Sequence, residues 1–384
     1  MRILVDVRQL LQANQSGVGE YTVQLLRALF RQDRKHEYVL LSSGMRQPVL
    51  RPELIDAPNV QHVHVRTANK ILNLSIAAAR QPRLNRLVSV PIDLVFLPNL
   101  GFSAIPNDLP YVLTVHDLSW KFFPQFFSRK QRLWHRAVRP DALIKNAACV
   151  ITPSDATRRD VQRGYQKPDS FVRTVPHGID PAFSAHPQAR DHGVRSRYKF
   201  PRRFALFVGT LEPRKNIVAI LEGMKTYRAQ SRDDLHLVLV GGWGWNTREL
   251  KKVMKGLTWI HHLGYVAAED RPALYRAAQV FVWPSIWEGF GLPVLEAMAS
   301  GVPVITSSTS SLPELTAGAA VLVHPYRIED ISAAMREVLD FDRLRAQLRQ
   351  QGLERAKTFS WDLAARQTLA VFEDVVDRRR NSHI

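Results

Sequence analysis

The sequence predicts an α/β protein made of two Rossmann-like domains, and three observations support this prediction. The chain has 384 residues, more than one ordinary hydrophobic core holds. Short apolar runs such as residues 3–7 and 204–209 alternate with helical patterns, which is typical of mostly parallel sheets. Residues 181–203 carry prolines among charges without a periodic core, so they indicate a linker.

These observations set the predicted boundaries. We expect an N-terminal domain over residues 1–180, a linker over 181–203, a C-terminal domain over 204–360 and an amphipathic C-terminal helix over 361–384. Hydrophobic residues at 45% and charged residues at 23% describe a soluble globular protein. No apolar run reaches the length of a membrane span, and Arg2, Asp6 and Arg8 interrupt any secretory signal. We therefore expect a cytoplasmic protein, with the single cysteine, Cys149, as a small core residue.

The first half predicts a sheet whose strands lie at 3–7, 38–41, 93–99, 111–117 and 150–154. His116 and Asp117 end one of these strands, where open α/β sheets bind ligands, although His116 could instead be a satisfied core group. Gly17 and Gly19 precede a helical pattern and would let backbone amides approach a phosphate. A plain turn remains the alternative for these glycines.

The second half repeats the pattern. The strand at 204–209 leads through Arg214 and Lys215 into a helix from Ile217, and two cations at such a turn suit a diphosphate. Further strands are expected at 235–242, 259–266 and 301–306. The His261–His262 pair has no third ligand at a suitable spacing, so a strand edge is favoured over a metal site.

The most informative stretch is residues 281–299, which joins a buried strand, a glycine-bearing loop and a helix start. Glu288 lies in the loop, where Gly289 and Gly291 allow tight turning beside a ligand. We expect Pro293 at the first helical position and Glu296 in the first turn, so that the free N–H groups there form a site for an anion. The alternative is a capped helix with surface acids.

The spacing of Glu288 and Glu296 around Gly-Phe-Gly-Leu-Pro resembles the signature of the retaining glycosyltransferases of family 4. That family has the GT-B fold, in which two Rossmann-like domains face each other across a cleft, and the resemblance covers nearly the whole chain. It implies that Glu288 contacts hydroxyls of the donor sugar and that Glu296 holds the ribose hydroxyls of the nucleotide. It also implies that the C-terminal helix crosses back onto the first domain.

Other stretches resemble the same family and imply further roles. Val-His-Asp-Leu-Ser implies that His116 approaches the sugar, and Gly-Thr-Leu-Glu-Pro-Arg-Lys-Asn implies that Arg214 and Lys215 neutralise the leaving diphosphate. Thr210 is a departure, because many members have Arg there, which leaves open which cation dominates. The resemblance implies these substrate-binding residues: Gly17, Gly19, Gly209, Tyr265, Val266, Phe290, Gly291, Leu292 and Glu296.

No cofactor and no metal are expected, because Arg214 and Lys215 would supply the charge of a Mg²⁺. Asp340 and Asp342 superficially match the acid-x-acid metal motif of the other main glycosyltransferase fold, but they lie in an Arg-rich helical tract. Two mechanisms stay open: same-face attack, with the leaving phosphate oxygen taking the acceptor's proton, and Glu288 as a covalent nucleophile. The resemblance favours the first.

The resemblance thus implies a retaining hexosyltransferase, with mannose from GDP-mannose as the expected donor and a glycan or lipid-linked oligosaccharide as the acceptor in cell-surface polysaccharide synthesis. A phosphorylase-like enzyme of the same fold would need a cofactor lysine context that is not found. The net charge of +18 suits anionic lipids, nucleic acid or diphosphates. A basic nucleic-acid-binding protein is the alternative function, although no base-stacking array or recognition motif supports it.

Two basic segments, residues 66–86 and 128–139, combine Lys and Arg with apolar side chains. Either could rest on an anionic membrane, which would place the protein on the inner face of the cytoplasmic membrane. A solvated helix face explains the same pattern equally well.

Overall fold

The computed structural model describes residues 1–11, 17–48, 50–231 and 233–381. The strands, in chain order, are β1 (Arg2–Asp6), β2 (Glu37–Ser43), β3 (Val60–Val65), β4 (Leu94–Leu97), β5 (Tyr111–Thr114), β6 (Cys149–Thr152), β7 (Val172–Thr174), β8 (Phe204–Val208), β9 (His236–Val240), β10 (Ile260–Gly264), β11 (Val280–Trp283), β12 (Val304–Ser307) and β13 (Val321–Val323).

The α-helices, in chain order, are α1 (Gly17–Gln32), α2 (Asn69–Ala79), α3 (Ser119–Phe122), α4 (Arg129–Val138), α5 (Pro140–Asn146), α6 (Asp155–Tyr165), α7 (Asp191–Tyr198), α8 (Ile217–Gln230), α9 (Arg248–Met254), α10 (Arg271–Ala277), α11 (Leu292–Ala299), α12 (Leu312–Thr316), α13 (Ile328–Asp340), α14 (Asp342–Lys357) and α15 (Trp361–Asn381). Strands and helices alternate over most of the chain, as the sequence predicts.

The first unit comprises Met1–Leu118, Arg129–Gly178 and the chain from Trp361 onward. Its seven strands are all parallel, in the order β3-β2-β1-β4-β5-β6-β7. Ile3, Leu4 and Val5 of β1 are fully buried at the centre of this sheet. Because β1 has β2 on one side and β4 on the other, the strand order reverses there, and ligands of such sheets bind beyond the carboxyl ends at that point.

The second unit comprises Ser119–Ser128 and Ile179–Ser360. Its six parallel strands follow the order β10-β9-β8-β11-β12-β13, so the reversal lies between β8 and β11. All four residues of β11 are buried, as expected for a parallel strand covered on both faces. The loops after β8 and β11 therefore leave the sheet side by side, which brings the cations of one loop to the acids of the other.

Close packing at the end of β8 explains Gly209. Trp283 of β11 stacks on Phe207 with ring centroids 4.8 Å apart. A Cβ on Gly209 would lie 2.7 Å from the Cη2 atom of Trp283, which is too close for any side chain. The glycine lets the chain pass the indole ring and turn toward Arg214.

The structure differs from the sequence predictions in four elements. Strands β3, β7 and β13 were not predicted, because β3 alternates valine with polar residues and β7 and β13 have only three residues each. Helix α7 lies inside the predicted linker at 181–203. It is stabilised by the burial of Val194 and by an ion pair of 2.6 Å between Arg197 and Asp270. The local composition of residues 181–203 gives no sign of these contacts, so the helix was not predicted.

The glycines of the first unit also differ in position from the prediction. Gly17 and Gly19 were expected in a loop before α1, but both lie in the first turn of that helix. The buried face of α1 already begins at Gly19 and continues through Tyr21. The helix therefore begins before the first apolar residue of the sequence pattern, Val23. Ser16, which directly precedes these glycines, lies outside the described residues.

No helix among the described residues is long and apolar enough to cross a bilayer. Cys149 lies in β6 and is 3% exposed, and its burial raises the pKa of the thiol to about 11.

Candidate functional site

The loop after β11, residues 284–291, is held by hydroxyl groups from the segment that follows β12. The Oγ atom of Ser310 accepts a hydrogen bond of 3.1 Å from the backbone N–H of Glu288 and donates one to its carbonyl. Ser311 Oγ donates to the carbonyls of Glu288 at 3.0 Å and of Phe290 at 2.9 Å. These bonds fix the backbone of Glu288, so its side chain has a defined starting point.

The side chain of Glu288 lies between the two cations of the neighbouring loop. Its Oε1 atom accepts a bond of 2.5 Å from Nζ of Lys215, and its Oε2 atom one of 3.2 Å from Nη1 of Arg214. The same Nη1 donates to the carbonyl of Trp287 at 2.7 Å. The sequence assigned Glu288 and His116 to the sugar and Arg214 and Lys215 to the leaving diphosphate as the catalytic residues. The structure brings Glu288 into direct contact with both Arg214 and Lys215.

A second acid completes this cluster. Glu212 is 5% exposed, and its Oε1 atom accepts a bond of 2.9 Å from Nη2 of Arg214. Arg214 and Lys215 thus face two buried carboxylates, Glu212 and Glu288. The four charges balance, so an anion that enters must compete with Glu288 for the cations.

The protonation states follow from this balance. Burial opposes the ionisation of Glu288, but the charges of Lys215 and Arg214 outweigh it and hold the pKa of the carboxyl below its ordinary value. Burial also lowers the pKa of the Lys215 ammonium, and Arg214 adds to this effect against the pull of Glu288. The Nζ atom lies 4.5 Å from the centroid of the Trp283 ring, a cation–π contact that favours the charged form.

Glu296 lies on α11 and has its own support. Tyr275 of α10 donates a hydrogen bond of 2.7 Å to Oε2, and Nη1 of Arg271 lies 3.9 Å from Oε1. Glu296 is 7% exposed, and its charge together with burial raises the pKa of the Tyr275 hydroxyl well above its ordinary range. Tyr275 and Arg271 therefore orient the carboxylate of Glu296.

The predicted register of α11 was wrong by one residue. The helix begins at Leu292, so Pro293 is its second residue and Glu296 lies in the second turn rather than the first. The reason is Gly291, which adopts φ 110° and caps the helix in the left-handed conformation. A Cβ on Gly291 would lie 2.9 Å from Leu312 Cδ2, and the positive φ strains any residue other than glycine there.

The other predicted residues of the second unit line the same edge of the sheet. Phe290 is 6% exposed and packs edge-to-face on Phe359, with ring centroids 5.7 Å apart. Tyr265 and Val266 follow β10, where Tyr265 is 69% exposed and Val266 is buried. Tyr265 therefore presents an accessible ring, whereas Val266 packs in the hydrophobic core.

His116, Gly17 and Gly19 belong to the first unit. His116 lies two residues beyond β5, and its Nε2 atom donates to the carbonyl of Pro98 at 2.9 Å. Tyr21 packs edge-on against the imidazole, with centroids 4.7 Å apart, and donates to or accepts from Thr114 Oγ1 at 3.0 Å. Burial lowers the pKa of His116, so its ring is neutral near pH 7.

Three contributors were missed in the sequence. Tyr275 acts through Glu296, 21 residues along the chain, and no local signal marks it. Glu212 pairs with Arg214, two residues away, so an acid directly before the two cations was a local signal for it. The third is the hydroxyl-rich run Thr306-Ser307-Ser308-Thr309-Ser310-Ser311, whose composition could have indicated a segment that bonds to backbone groups.

Acids and histidines of the described residues form no group of three that could hold a metal ion. Asp340 ends α13 and Asp342 begins α14, where Asp342 pairs with Arg345.

Comparisons with known proteins cover both units. A family model described as Glycosyltransferase Family 4 matches residues 15–183, and one described as Glycosyl transferases group 1 matches residues 195–355. O-antigen chain mannosyltransferase B of Escherichia coli is 34% identical over 266 residues, which is 68% of this chain and 70% of that protein. The serotype-specific mannosyltransferase WbdA of Escherichia coli is 24% identical over 400 residues, which is 94% of this chain and 46% of that protein.

Solved structures confirm the expected GT-B architecture. Sucrose-phosphate synthase from Thermosynechococcus elongatus superposes with a TM-score of 0.75 at 20% identity and covers 98% of this chain and 99% of that one. WaaG, a glycosyltransferase involved in lipopolysaccharide biosynthesis, gives a TM-score of 0.72 at 19% identity, with 97% and 99% covered. Anabaena HepE in complex with UDP-glucose gives 0.72 at 16% identity, with 97% and 100% covered. At these identities the likeness carries the fold alone.

Proposed function

The chain belongs to glycosyltransferase family 4, and we propose that it is a retaining mannosyltransferase that uses GDP-mannose and acts in the synthesis of a cell-surface polysaccharide. The observation that carries the proposal is the contact of Glu288 with both Arg214 and Lys215 where the strand order of the second sheet reverses. Acids and cations in contact at that position suit a ligand that carries sugar hydroxyls beside a diphosphate.

The charge balance suggests how the donor would bind. Glu288 pairs with Arg214 and Lys215, and diphosphate oxygens would take its place on these two cations. The released carboxylate would then accept hydrogen bonds from hydroxyls of the sugar. On α11, Glu296 would accept from the ribose hydroxyls, with Tyr275 and Arg271 holding its orientation.

The proposed transfer breaks the bond between the anomeric carbon and the phosphate oxygen and forms a bond from that carbon to the acceptor oxygen on the same face. The acceptor's proton passes to the leaving phosphate oxygen. Negative charge that develops on the diphosphate is stabilised by Arg214 and Lys215, which are already in place. We propose a positioning role for Glu288 rather than that of covalent nucleophile, because the carboxylate released from the cations would be engaged by the sugar hydroxyls.

The names of the relatives support the choice of donor and acceptor. O-antigen chain mannosyltransferase B and WbdA are both named as mannosyltransferases, so mannose is the proposed sugar and GDP-mannose the proposed donor. An O-antigen is a glycan, and we propose a glycan or lipid-linked oligosaccharide as the acceptor, reached from the inner face of the cytoplasmic membrane. The nucleic-acid-binding alternative rested on net charge, which an anionic donor and an anionic membrane surface explain equally well.

The test is a screen of nucleotide sugars with the full chain, which follows thermal stabilisation and nucleotide release. We expect stabilisation and release of GDP from GDP-mannose, with the same rate in excess chelator, because the two cations replace a metal. The proposal would be overturned if no nucleotide sugar stabilised the protein or released its nucleotide. Loss of activity in chelator, restored by Mg²⁺ or Mn²⁺, would overturn metal independence alone.

A further inference from the structure

The second unit contains a cavity of about 920 Å³ that none of the predicted donor residues line. Its wall includes Phe200, Gln279 and Pro303, which come shortly before β8, β11 and β12. The cavity therefore lies at the edge where the strands begin. The candidate donor residues follow the ends of the strands, at the opposite edge.

Arginine supplies most of the charged side chains in the wall of this cavity. Four arginines line it, Arg195, Arg276, Arg345 and Arg349, against the two acids Asp191 and Asp342. Both acids are already paired: Arg276 binds Asp191 through two bonds of 2.8 and 2.6 Å, and Arg345 pairs with Asp342.

The two remaining cations have no carboxylate partner in the described part of the chain. The guanidinium of Arg195 lies over the ring of Phe200, 5.2 Å from its centroid, which restricts its orientation. Arg349 passes beside Gly301, where a Cβ would lie 3.4 Å from its Nε atom. An uncompensated pair of guanidinium groups facing one cavity favours an anionic ligand.

A buried hydroxyl gives an independent indication. Ser300 follows α11 and lines the cavity, and it is only 3% exposed. Its Oγ atom has no hydrogen-bond partner, although buried polar groups are nearly always bonded. The Oγ atom is covered in its present rotamer, and rotation about χ1 would bring it to an oxygen of a bound molecule.

From these contacts we propose that the cavity is a second binding site, for a phosphorylated small molecule of about sugar-phosphate size. Guanidinium forks match the geometry of phosphate oxygens, and the volume suits a ligand of that size. Arg195 and Arg349 bind the phosphate, and Ser300 donates a hydrogen bond to it. Arg276 and Arg345 hold the wall through the two aspartates.

The test is calorimetric titration of a hexose 1-phosphate into the full chain. Because Arg214 and Lys215 also attract phosphate, the background is R214Q/K215Q. In it we expect binding that R195Q/R349Q weakens at least about tenfold and that Ser300→Ala weakens about three- to tenfold. The matched control is R336Q/R343Q, which removes two exposed arginines of α13 and α14 outside the cavity and should leave the affinity unchanged.

A second readout keeps the proposal testable if the background variant folds poorly. The chain has one cysteine, and it is buried, so a His192→Cys variant labelled with an environment-sensitive fluorophore reports on the cavity wall. Hexose 1-phosphate should change its emission, and R195Q/R349Q should abolish the change. An unchanged titration in R195Q/R349Q would overturn the proposal. If short-chain phosphatidic acid binds more tightly than hexose 1-phosphate, the ligand is a lipid headgroup and the proposal of a sugar-phosphate-sized molecule is wrong.

Discussion

The Nζ atom of Lys215 lies 2.5 Å from Oε1 of Glu288, so a cation proposed to bind the diphosphate and the acid proposed to bind the sugar are in direct contact. Arg214 reaches the second oxygen of the same carboxylate at 3.2 Å. A donor must therefore reorganise these contacts as it binds, and each residue's contribution depends on the other two.

The first prediction concerns Glu288→Gln. The amide keeps the shape but loses the charge that orients the sugar, so turnover should fall by about a hundredfold or more. Affinity for free nucleoside diphosphate should hold or increase, because Arg214 and Lys215 no longer face that carboxylate. Steady-state kinetics and calorimetry measure the two effects. Glu269→Gln, at an exposed acid, is the control, and wild-type turnover in Glu288→Gln would refute the role.

Glu296→Ala should act on nucleotide binding itself. A carboxylate that accepts two ribose hydroxyls contributes charge-assisted bonds of about 1.5–3 kcal/mol each at most, so affinity for nucleoside diphosphate should fall at least about tenfold. Tyr275→Phe removes only the 2.7 Å bond that orients Glu296 and should cost less. Unchanged affinity by calorimetry in Glu296→Ala would remove the ribose contact from the account.

The sequence predicted the parts of the site whose position depends on strand order. It did not predict the contacts between side chains of different loops. The apolar runs of β8 and β11 predicted two strand ends, and the second sheet places them side by side. The pairing of Lys215 with Glu288 joins residues 73 positions apart, which no local pattern contains. The start of α11 depended on the left-handed conformation of Gly291, and α7 depended on contacts with Asp270.

Two histidines of the first unit, the buried His177 and the half-buried His116, predict a loss of stability in acid. Burial lowers the pKa of His177 well below its ordinary value, with His116 adding to the effect, and burial lowers the pKa of His116 as well. Below the unfolded pKa of about 6.5 the unfolded state binds more protons than the folded state. The free energy of unfolding therefore decreases as the pH is lowered, by up to about 1.4 kcal/mol per pH unit for each histidine. This stability is fully present above pH 6.5.

Urea unfolding at several pH values between 7.5 and 5 measures this dependence. His177→Gln should make it shallower, because one titrating group is gone. His186→Gln, at an exposed histidine, should leave it unchanged. An equal slope in His177→Gln and the wild type would contradict the assignment of the acid sensitivity to His177.

Helix α4 predicts binding to anionic membranes. It presents Arg129, Lys130, Arg132 and Arg136 together with Leu133 and Trp134, which are 69% and 43% exposed. Each basic group near an anionic surface contributes on the order of 1 kcal/mol, and salt weakens this attraction. In co-sedimentation, vesicles with anionic lipid should bind the protein and neutral vesicles should not.

Neutralising the four cations of α4 together should release the protein from anionic vesicles. The charge-matched control changes four exposed cations of the second unit, Lys199, Arg336, Arg343 and Lys357. If the protein stays in the supernatant with anionic vesicles at low salt, the acceptor is soluble. The positive charge of the protein would then serve only to attract the anionic donor.

The most direct test of the central claim is the anomeric configuration of the product. The full chain is incubated with GDP-mannose, whose mannose is α-linked, and a synthetic mannoside acceptor, and the new linkage is assigned by NMR. Transfer with retention predicts an α-mannoside, which Glu288→Gln should form far more slowly. A β-linked product, or no transfer from any nucleotide sugar, would contradict the proposed mechanism.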